Sequence, residues 1–291
     1  FGQWLDTRTA SVLRRAVAEV RPDVVLAFMN RAASWMPPGP HLKVARLGGY
    51  YDVKYYRRCD HLVCITPDIR DHVVRCGWPA DRAHVLRNFA TVDADPPLRR
   101  DTLDTPPDAP VLLVTARLHP NKGVDTLLHA LRHVPEAMLW IAGDGPERTA
   151  LQRLAVSLGV SGRVRFLGWR HDRGALYRAA DIAVVPSRHE PFGTVNLEAW
   201  AYDRPLITTD APGPAGLVRP GTDALMVPRG DADALAGAIR RLLVDRDLAA
   251  CLAGAGRARY KAEFSETAGV ARYLDLLRGL LADREPMTET A

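Results

Sequence analysis

Two successive α/β domains, each built on a doubly wound parallel sheet, are predicted by three observations. Short runs rich in Val, Ile, Leu and Ala alternate with segments of helical periodicity, the pattern of buried parallel strands and their crossovers. Turn formers, mostly Gly, Pro, Asp and Asn, recur after these runs. The alternation breaks once, at residues 93–110, where five Pro and five Asp leave no apolar period. The expected layout is a first domain over 1–95, a linker over 96–110, a second domain over 111–264, and a final helix with its tail over 265–291.

The 291 residues, 47% of them hydrophobic, suffice for two cores. Cys59, Cys64, Cys76 and Cys251 form no C-x-x-C pair, and Cys64 lies in an apolar run. Reduced thiols in a cytoplasmic protein are expected, not a disulfide frame or a zinc site. No apolar stretch approaches a membrane span, and no secretory signal is visible. The first hundred residues hold 16 Lys+Arg against 10 Asp+Glu, the remainder 23 against 24. The positive excess therefore lies in the first third, where it suits an anionic acceptor, a lipid surface or nucleic acid. Phe1-Gly-Gln-Trp4 lacks an initiator Met and the helical pattern is already under way at residue 6, so the chain is expected to begin inside a domain.

In chain order, residues 8–20 carry apolar positions at helical spacing. Strands are expected at 24–29, 43–47, 61–65 and 85–88, with a loop over 30–40 and a helix over 67–76 ending at Gly77. The second alternation places strands at 111–116, 137–142, 164–167, 182–185, 205–209 and 224–227. Helices are expected at 124–133, 147–158, 171–179, 194–202, 231–244, 246–260 and 265–282, with a frayed tail over 283–291. Ligands of such sheets sit beyond the C-terminal ends of the strands. Asn30, Gly48 and Gly49 are thus the places to look for ligand contacts in the first domain. The run Tyr50-Tyr-Asp-Val-Lys-Tyr-Tyr-Arg-Arg58 admits two readings: an interfacial patch facing anionic lipid, or a solvated helix face whose rings pack inward. No further basic cluster extends it, so a nucleic-acid site is not expected.

The chemistry concentrates in residues 186–205. An apolar strand stops at Pro186, a helix former run begins at Thr194, and the turn between holds Glu190, Phe192 and Gly193. Gly193 lets backbone approach a ligand, and the amides of Thr194 and Val195 open a helix, a setting suited to phosphate oxygens. Glu190 precedes that start and Glu198 lies one turn inside it. A phosphate flanked by two carboxylates suggests a nucleotide carrying a hydroxyl-rich group; acids that merely complement the helix dipole are the competing reading. Arg117 and Lys122 flank the loop leaving the first strand of this domain, where two cations suit a diphosphate and solvated surface cations are the plain alternative.

The order of these motifs resembles the retaining glycosyltransferases of family 4, which have the GT-B fold. R-x4-K-G (Arg117 to Gly123) comes first, then G-D-G (Gly143 to Gly145) and F-x-G ending at Gly168. P-S-x-x-E-x-F-G (Pro186 to Gly193) and the E-x7-E pair Glu190 and Glu198 follow. The resemblance is good over 111–262 and holds in outline over 21–88. It implies two Rossmann-like domains facing a cleft, the first of them truncated, and a last helix, 265–282, that crosses back to the first domain. It implies that Glu190 meets the donor sugar and Glu198 the ribose, and that Arg117 and Lys122 hold the pyrophosphate. Gly143, Gly145 and Gly168 would shape the donor site, Trp169 and Arg170 would frame the base, and Phe192, Gly193, Thr194 and Val195 would place the sugar and distal phosphate. The implied substrates are a UDP- or GDP-sugar and a glycan or glycolipid acceptor, as in envelope polysaccharide or lipopolysaccharide synthesis. No cofactor or metal is required. The implied place is the cytoplasm, with the inner face of the cytoplasmic membrane as a peripheral station.

Four departures stand out. Ala201-Tyr-Asp203-Arg-Pro205 has Asp where the family has Gly, a substitution the left-handed conformation tolerates. Ala215-Gly216 replaces the Glu usual after the Pro-Gly turn, and Met29-Asn30 stand where an early strand often ends in His. The first strand and Gly-rich loop of the family have no counterpart, so a nucleotide-sugar-binding remnant without full activity is the alternative to an enzyme. An epimerase on the same fold would need a His or acidic pair that is not found.

Overall fold

A computed structural model describes residues 7–284. The chain divides into two compact units, one comprising residues up to Asn88 together with those from Gly269 onward, the other Phe89–Ala268. The opening Phe1-Gly-Gln-Trp and residues 285–291 of the tail expected to fray lie outside the described residues.

The first unit runs α1 (Thr7–Val20), β1 (Val24–Phe28), α2 (Met29–Ser34), β2 (Leu42–Leu47), β3 (His61–Cys64), α3 (Pro67–Arg75) and β4 (Ala83–Val85). Its four strands are all parallel, in the order β1-β2-β3-β4. Leu42, Val44 and Val63 face a core closed by Tyr273, Leu276, Leu277 and Leu280 of the final helix, and the charged Lys43 and Arg46 of β2 are only partly buried. Thr66 caps α3, its hydroxyl accepting from the Ile69 amide at 3.2 Å, and Pro67 fills the first helical position.

Three expectations change here. The loop expected over 30–40 opens as a helix, α2, because burial of Ala33 supplies what so short and polar a segment lacks on its own. The fourth strand lies at 83–85, upstream of 85–88, paired with Leu62–Cys64. Residues 50–58 form a 3-10 turn, Val53–Tyr56, in which Tyr56 is fully buried, the Tyr50 hydroxyl donates to Asp68 and Lys54 pairs with Asp52 at 2.9 Å. Half of that aromatic run is thus packing or locally bonded, leaving Arg57 and Arg58 exposed.

The second unit comprises β5 (Val111–Thr115), α4 (Val124–Leu131), β6 (Met138–Ala142), α5 (Arg148–Ser157), β7 (Val164–Gly168) and α6 (Arg173–Ala179). It continues through β8 (Ile182–Val185), α7 (Thr194–Ala201), β9 (Leu206–Thr209), α8 (Pro212–Leu217), β10 (Leu225–Val227), α9 (Ala232–Val244) and α10 (Arg246–Arg259); α11 (Glu266–Ala282) starts here and runs into the first unit. The six strands are parallel in the order β10-β9-β8-β5-β6-β7. β5, β6 and β8 are buried along their whole length, with helices such as α4 and α9 packed over them.

The stretch expected as a linker, 96–110, packs on this unit. Arg100 donates to Asp181 at 2.9 Å and to the carbonyls of Pro107, Ala109 and Ala179, and the buried Thr105 hydroxyl accepts from Trp140 Nε1 at 2.9 Å. The turn expected after β9 is instead α8, where Pro212 at the first helical position pre-sets the backbone and its missing N–H costs nothing. Asp203 does adopt the left-handed turn in place of Gly, at φ 58°.

Candidate active site

In the second sheet β5 leads on to β6 on one side while β8 leads on to β9 on the other, so the loops after β5 and β8 diverge between adjacent strands. Doubly wound sheets receive ligands at such a switch point. The β5 loop carries Arg117 and a 3-10 turn, Pro120–Lys122; the β8 loop carries Glu190. Lys122 Nζ meets Glu190 Oε2 at 2.5 Å across the divide, with side chains 27% and 11% exposed. Arg117 is exposed and no hydrogen bond or ion pair with another described residue holds it.

Arg188, not singled out from sequence, ties the two loops together. Its guanidinium reaches Asp125 at 2.7 and 2.6 Å, Thr126 Oγ1 at 2.8 Å and the Pro120 carbonyl at 3.1 Å. The amides of Arg188 and His189 both donate to the Asn121 carbonyl. A second unforeseen support is Gly213 at the start of α8, whose amide donates to the Glu190 carbonyl at 2.8 Å. A backbone contact between positions so far apart in sequence leaves no local signal.

Gly193 caps α7 in the left-handed region, φ 85°; a Cβ there would stand 2.4 Å from Asn196 Nδ2 and 3.2 Å from Glu190 Cγ. The glycine is therefore what lets Glu190 turn directly into the start of α7. A helix start presents its first amides, here those of Thr194 and Val195, outward along its axis. Phe192 is buried and fixes the turn from beneath.

Gly143 and Gly145 act on backbone, not on a side chain. A Cβ on Gly143 would stand 1.8 Å from the Ala116 carbonyl oxygen, so the β6 loop lies directly against the β5 loop. The Leu118 amide donates to the Asp144 carbonyl at 2.9 Å in the same seam, and the Gly143 amide to the Gly168 carbonyl at 2.7 Å. Gly168 thus joins Gly143 and Gly145 in one layer of loops. Trp169, 70% exposed, stands edge-on to His171, and Arg170 is held by Asp172.

Glu198 sits one turn into α7, 8% exposed. Its Oε1 accepts from Arg173 Nη1 at 2.6 Å, and its Oε2 from the Tyr177 hydroxyl at 3.3 Å, itself 2.7 Å from Thr115 Oγ1. Burial pushes the Glu198 carboxyl up from its ordinary value, with the Arg173 guanidinium and the Tyr177 hydroxyl pulling the other way. A polar cavity of about 170 Å³ opens beside it, walled by Asp93, Arg173, Thr194, Glu198 and Tyr202. Arg173 and Tyr177 escaped the sequence reading because only the α6–α7 packing brings them to Glu198.

In the first unit, Asn30 and Gly48-Gly49 do lie at the C-terminal ends of β1 and β2, as expected. Met29 beside them takes φ 70°, a strained conformation for a non-Gly residue, and its sulfur is 3.4 Å from where a Gly48 Cβ would stand. Among the described residues no three His, Cys, Asp or Glu converge as metal ligands, and no helix is long and apolar enough to cross a membrane.

Residues 109–245 match the family model described as "Glycosyl transferases group 1". The chain is 40% identical over 259 residues to the lipopolysaccharide core biosynthesis glycosyltransferase LpsE of Rhizobium meliloti, covering 88% of this chain and 76% of LpsE. The chain belongs to the group 1 glycosyltransferases. A second relative, LpsD of the same organism, is 39% identical over 274 residues, covering 94% of this chain and 80% of LpsD. Among solved structures, Anabaena HepE in complex with UDP-glucose superposes with a TM-score of 0.82 at 21% identity, covering 93% of this chain and 82% of that one. The family 4 resemblance and the GT-B fold expected from the motifs are borne out, and the chain is a glycosyltransferase.

Proposed function

We propose that this glycosyltransferase moves a sugar from a nucleoside-diphosphate sugar to a hydroxyl of a glycan or glycolipid acceptor in lipopolysaccharide core assembly, with retention at the anomeric carbon. The observation that carries the reading is the Lys122–Glu190 pair closing the switch point, beside the α7 start and one helical turn from Glu198. The names of LpsE and LpsD support the pathway, and the UDP-glucose bound by HepE supports the donor class.

In this reading the diphosphate takes Lys122 from Glu190 and is met also by Arg117 and the amides of Thr194 and Val195. Glu190, released, turns to the donor sugar; Glu198 accepts from ribose hydroxyls at the cavity that Arg173 and Asp93 border. The base lies over Trp169 and Arg170. Fixed positive charge and amides stabilise the leaving diphosphate as its charge grows, without reorganising at the moment of reaction. The departing phosphate oxygen takes the acceptor proton on the face it leaves, which gives retention without a covalent enzyme intermediate and requires no metal. The first unit supplies the acceptor side around Asn30 and Gly48-Gly49, in the cytoplasm or against the inner membrane face.

The test is transfer from UDP- and GDP-sugars to a defined core acceptor, with anomeric configuration read by NMR. An inverted product would end the retaining assignment. Glu190→Ala should abolish transfer while leaving the thermal unfolding midpoint near that of the parent; retained turnover would remove Glu190 from its role.

A further inference from the structure

Two cavities of about 590 and 660 Å³ adjoin in the first unit, sharing Arg14 and Pro38 in their walls. The smaller is also walled by Trp35, Met36, Lys43 and Arg58, the larger by Arg21, Asp23, His41 and Arg284. Arg21 and Asp23 precede β1, His41 precedes β2, and Arg58 precedes β3. Both cavities therefore open at the N-terminal edge of the sheet, the end opposite Asn30 and Gly48-Gly49, where acceptor contacts belong.

Their walls are strongly one-signed. Arg14, Arg21, Lys43, Arg58 and Arg284 face a single lining carboxylate, Asp23. Arg21 and Arg58 are exposed and make no ion pair with another described residue, and the carboxylate nearest Lys43, on Asp60, is 3.9 Å away. His41 is 2% exposed, and its Nε2 has no hydrogen-bond partner. Each cavity is of a size that holds small organic ligands. Trp35, Met36 and Pro38 give one wall an apolar surface against which a sugar ring can lie.

We propose that this edge of the first unit is a second anion site, distinct from the donor site, that takes a phosphorylated group of monosaccharide size, carried either by a glycan or by a lipid head group. Arg14, Arg58 and Lys43 grip phosphate oxygens while Trp35 and Pro38 meet the attached ring. The inference does not rest on the donor assignment.

Isothermal titration of the whole chain with glucose 6-phosphate, with UDP present in excess, tests it. Binding that weakens with salt, is absent for glucose, and falls about tenfold or more in Arg14→Gln with Arg58→Gln is expected, from the loss of two charge-assisted contacts. Arg14→Lys with Arg58→Lys should restore most of the affinity. The Gln variant should melt and bind UDP as the parent does, since both side chains are exposed. Sedimentation with phosphatidylglycerol-containing vesicles against pure phosphatidylcholine separates the sources: vesicle binding lost in the same variant, without glucose 6-phosphate binding, assigns the site to a lipid head group. Equal binding of glucose and glucose 6-phosphate, displacement by UDP, indifference to the Gln variant, or no binding of either probe would each overturn the proposal.

Discussion

Glu190→Gln should tighten the binding of free UDP or GDP while it destroys turnover. Lys122 Nζ is held by Glu190 Oε2 at 2.5 Å in a partly shielded setting, so an incoming diphosphate must displace that carboxylate. Gln keeps the size and one acceptor oxygen but drops the charge. A hydrogen bond to a charged partner is worth about 1.5–3 kcal/mol where a neutral one is worth about 0.5–1.5 kcal/mol. Gln still faces the Lys cation, so the relief is at the low end of that difference, about 1 kcal/mol, or about fivefold in dissociation constant. Transfer should drop by about a hundredfold or more, since a contact made in the transition state is lost. Calorimetric titration with UDP and GDP and a steady-state assay read the two effects separately. Nucleotide affinity that stays level or weakens would show that Glu190 and the diphosphate do not compete for Lys122.

Arg117→Ala combined with Lys122→Ala should weaken nucleoside-diphosphate binding by about tenfold or more, and unchanged calorimetric affinity would take both cations out of the site. Glu198 is a buried acid with its carboxyl pushed up, so the native chain holds its proton to higher pH than the unfolded one, and stability falls as pH rises above the ordinary Glu range. Glu198→Gln should therefore remove a downward slope in urea-melt stability between acid and neutral pH, and an identical slope would refute it. His61 and His84 contact at 3.1 Å, and burial holds both below the ordinary histidine value of 6.5. The unfolded chain then takes up protons first, and stability should drop as pH falls below that value; His84→Gln should flatten the drop. Gly193→Ala forces a Cβ into a left-handed position 2.4 Å from Asn196 Nδ2, and should cost about 1–3 kcal/mol by denaturant melts.

Where residues near in sequence set the structure, they were readable. β8 falls at 182–185 as expected, because an unbroken apolar run closed by Pro admits little else. Asp203 kept its turn because the left-handed conformation is a property of one residue and its short side chain. The placement of the E-x7-E pair is local too: seven intervening residues set Glu190 in the turn before α7 and Glu198 on the helix. What escaped depends on contacts between distant segments. α2 exists through the burial of Ala33, and 96–110 looked like a linker because Arg100 and Thr105 find their partners at 181 and 140. Arg173 and Arg188 carry no local signal, because their partners Glu198 and Asp125 lie on other elements, α7 and α4.

The uniform strand direction of the second sheet has a consequence for how such a chain can diversify. Strands β5 and β6 are 5 residues each, roughly 16 Å, so the residues that would choose a sugar nucleotide stand a full strand length from the ends that enter the fold. Loops at the working end can exchange side chains with little penalty to the hydrophobic layer beneath. The exceptions are the positions where two loops share backbone, at Gly143 and at the Asn121 carbonyl; there a change in specificity and a change in folding cannot be made independently.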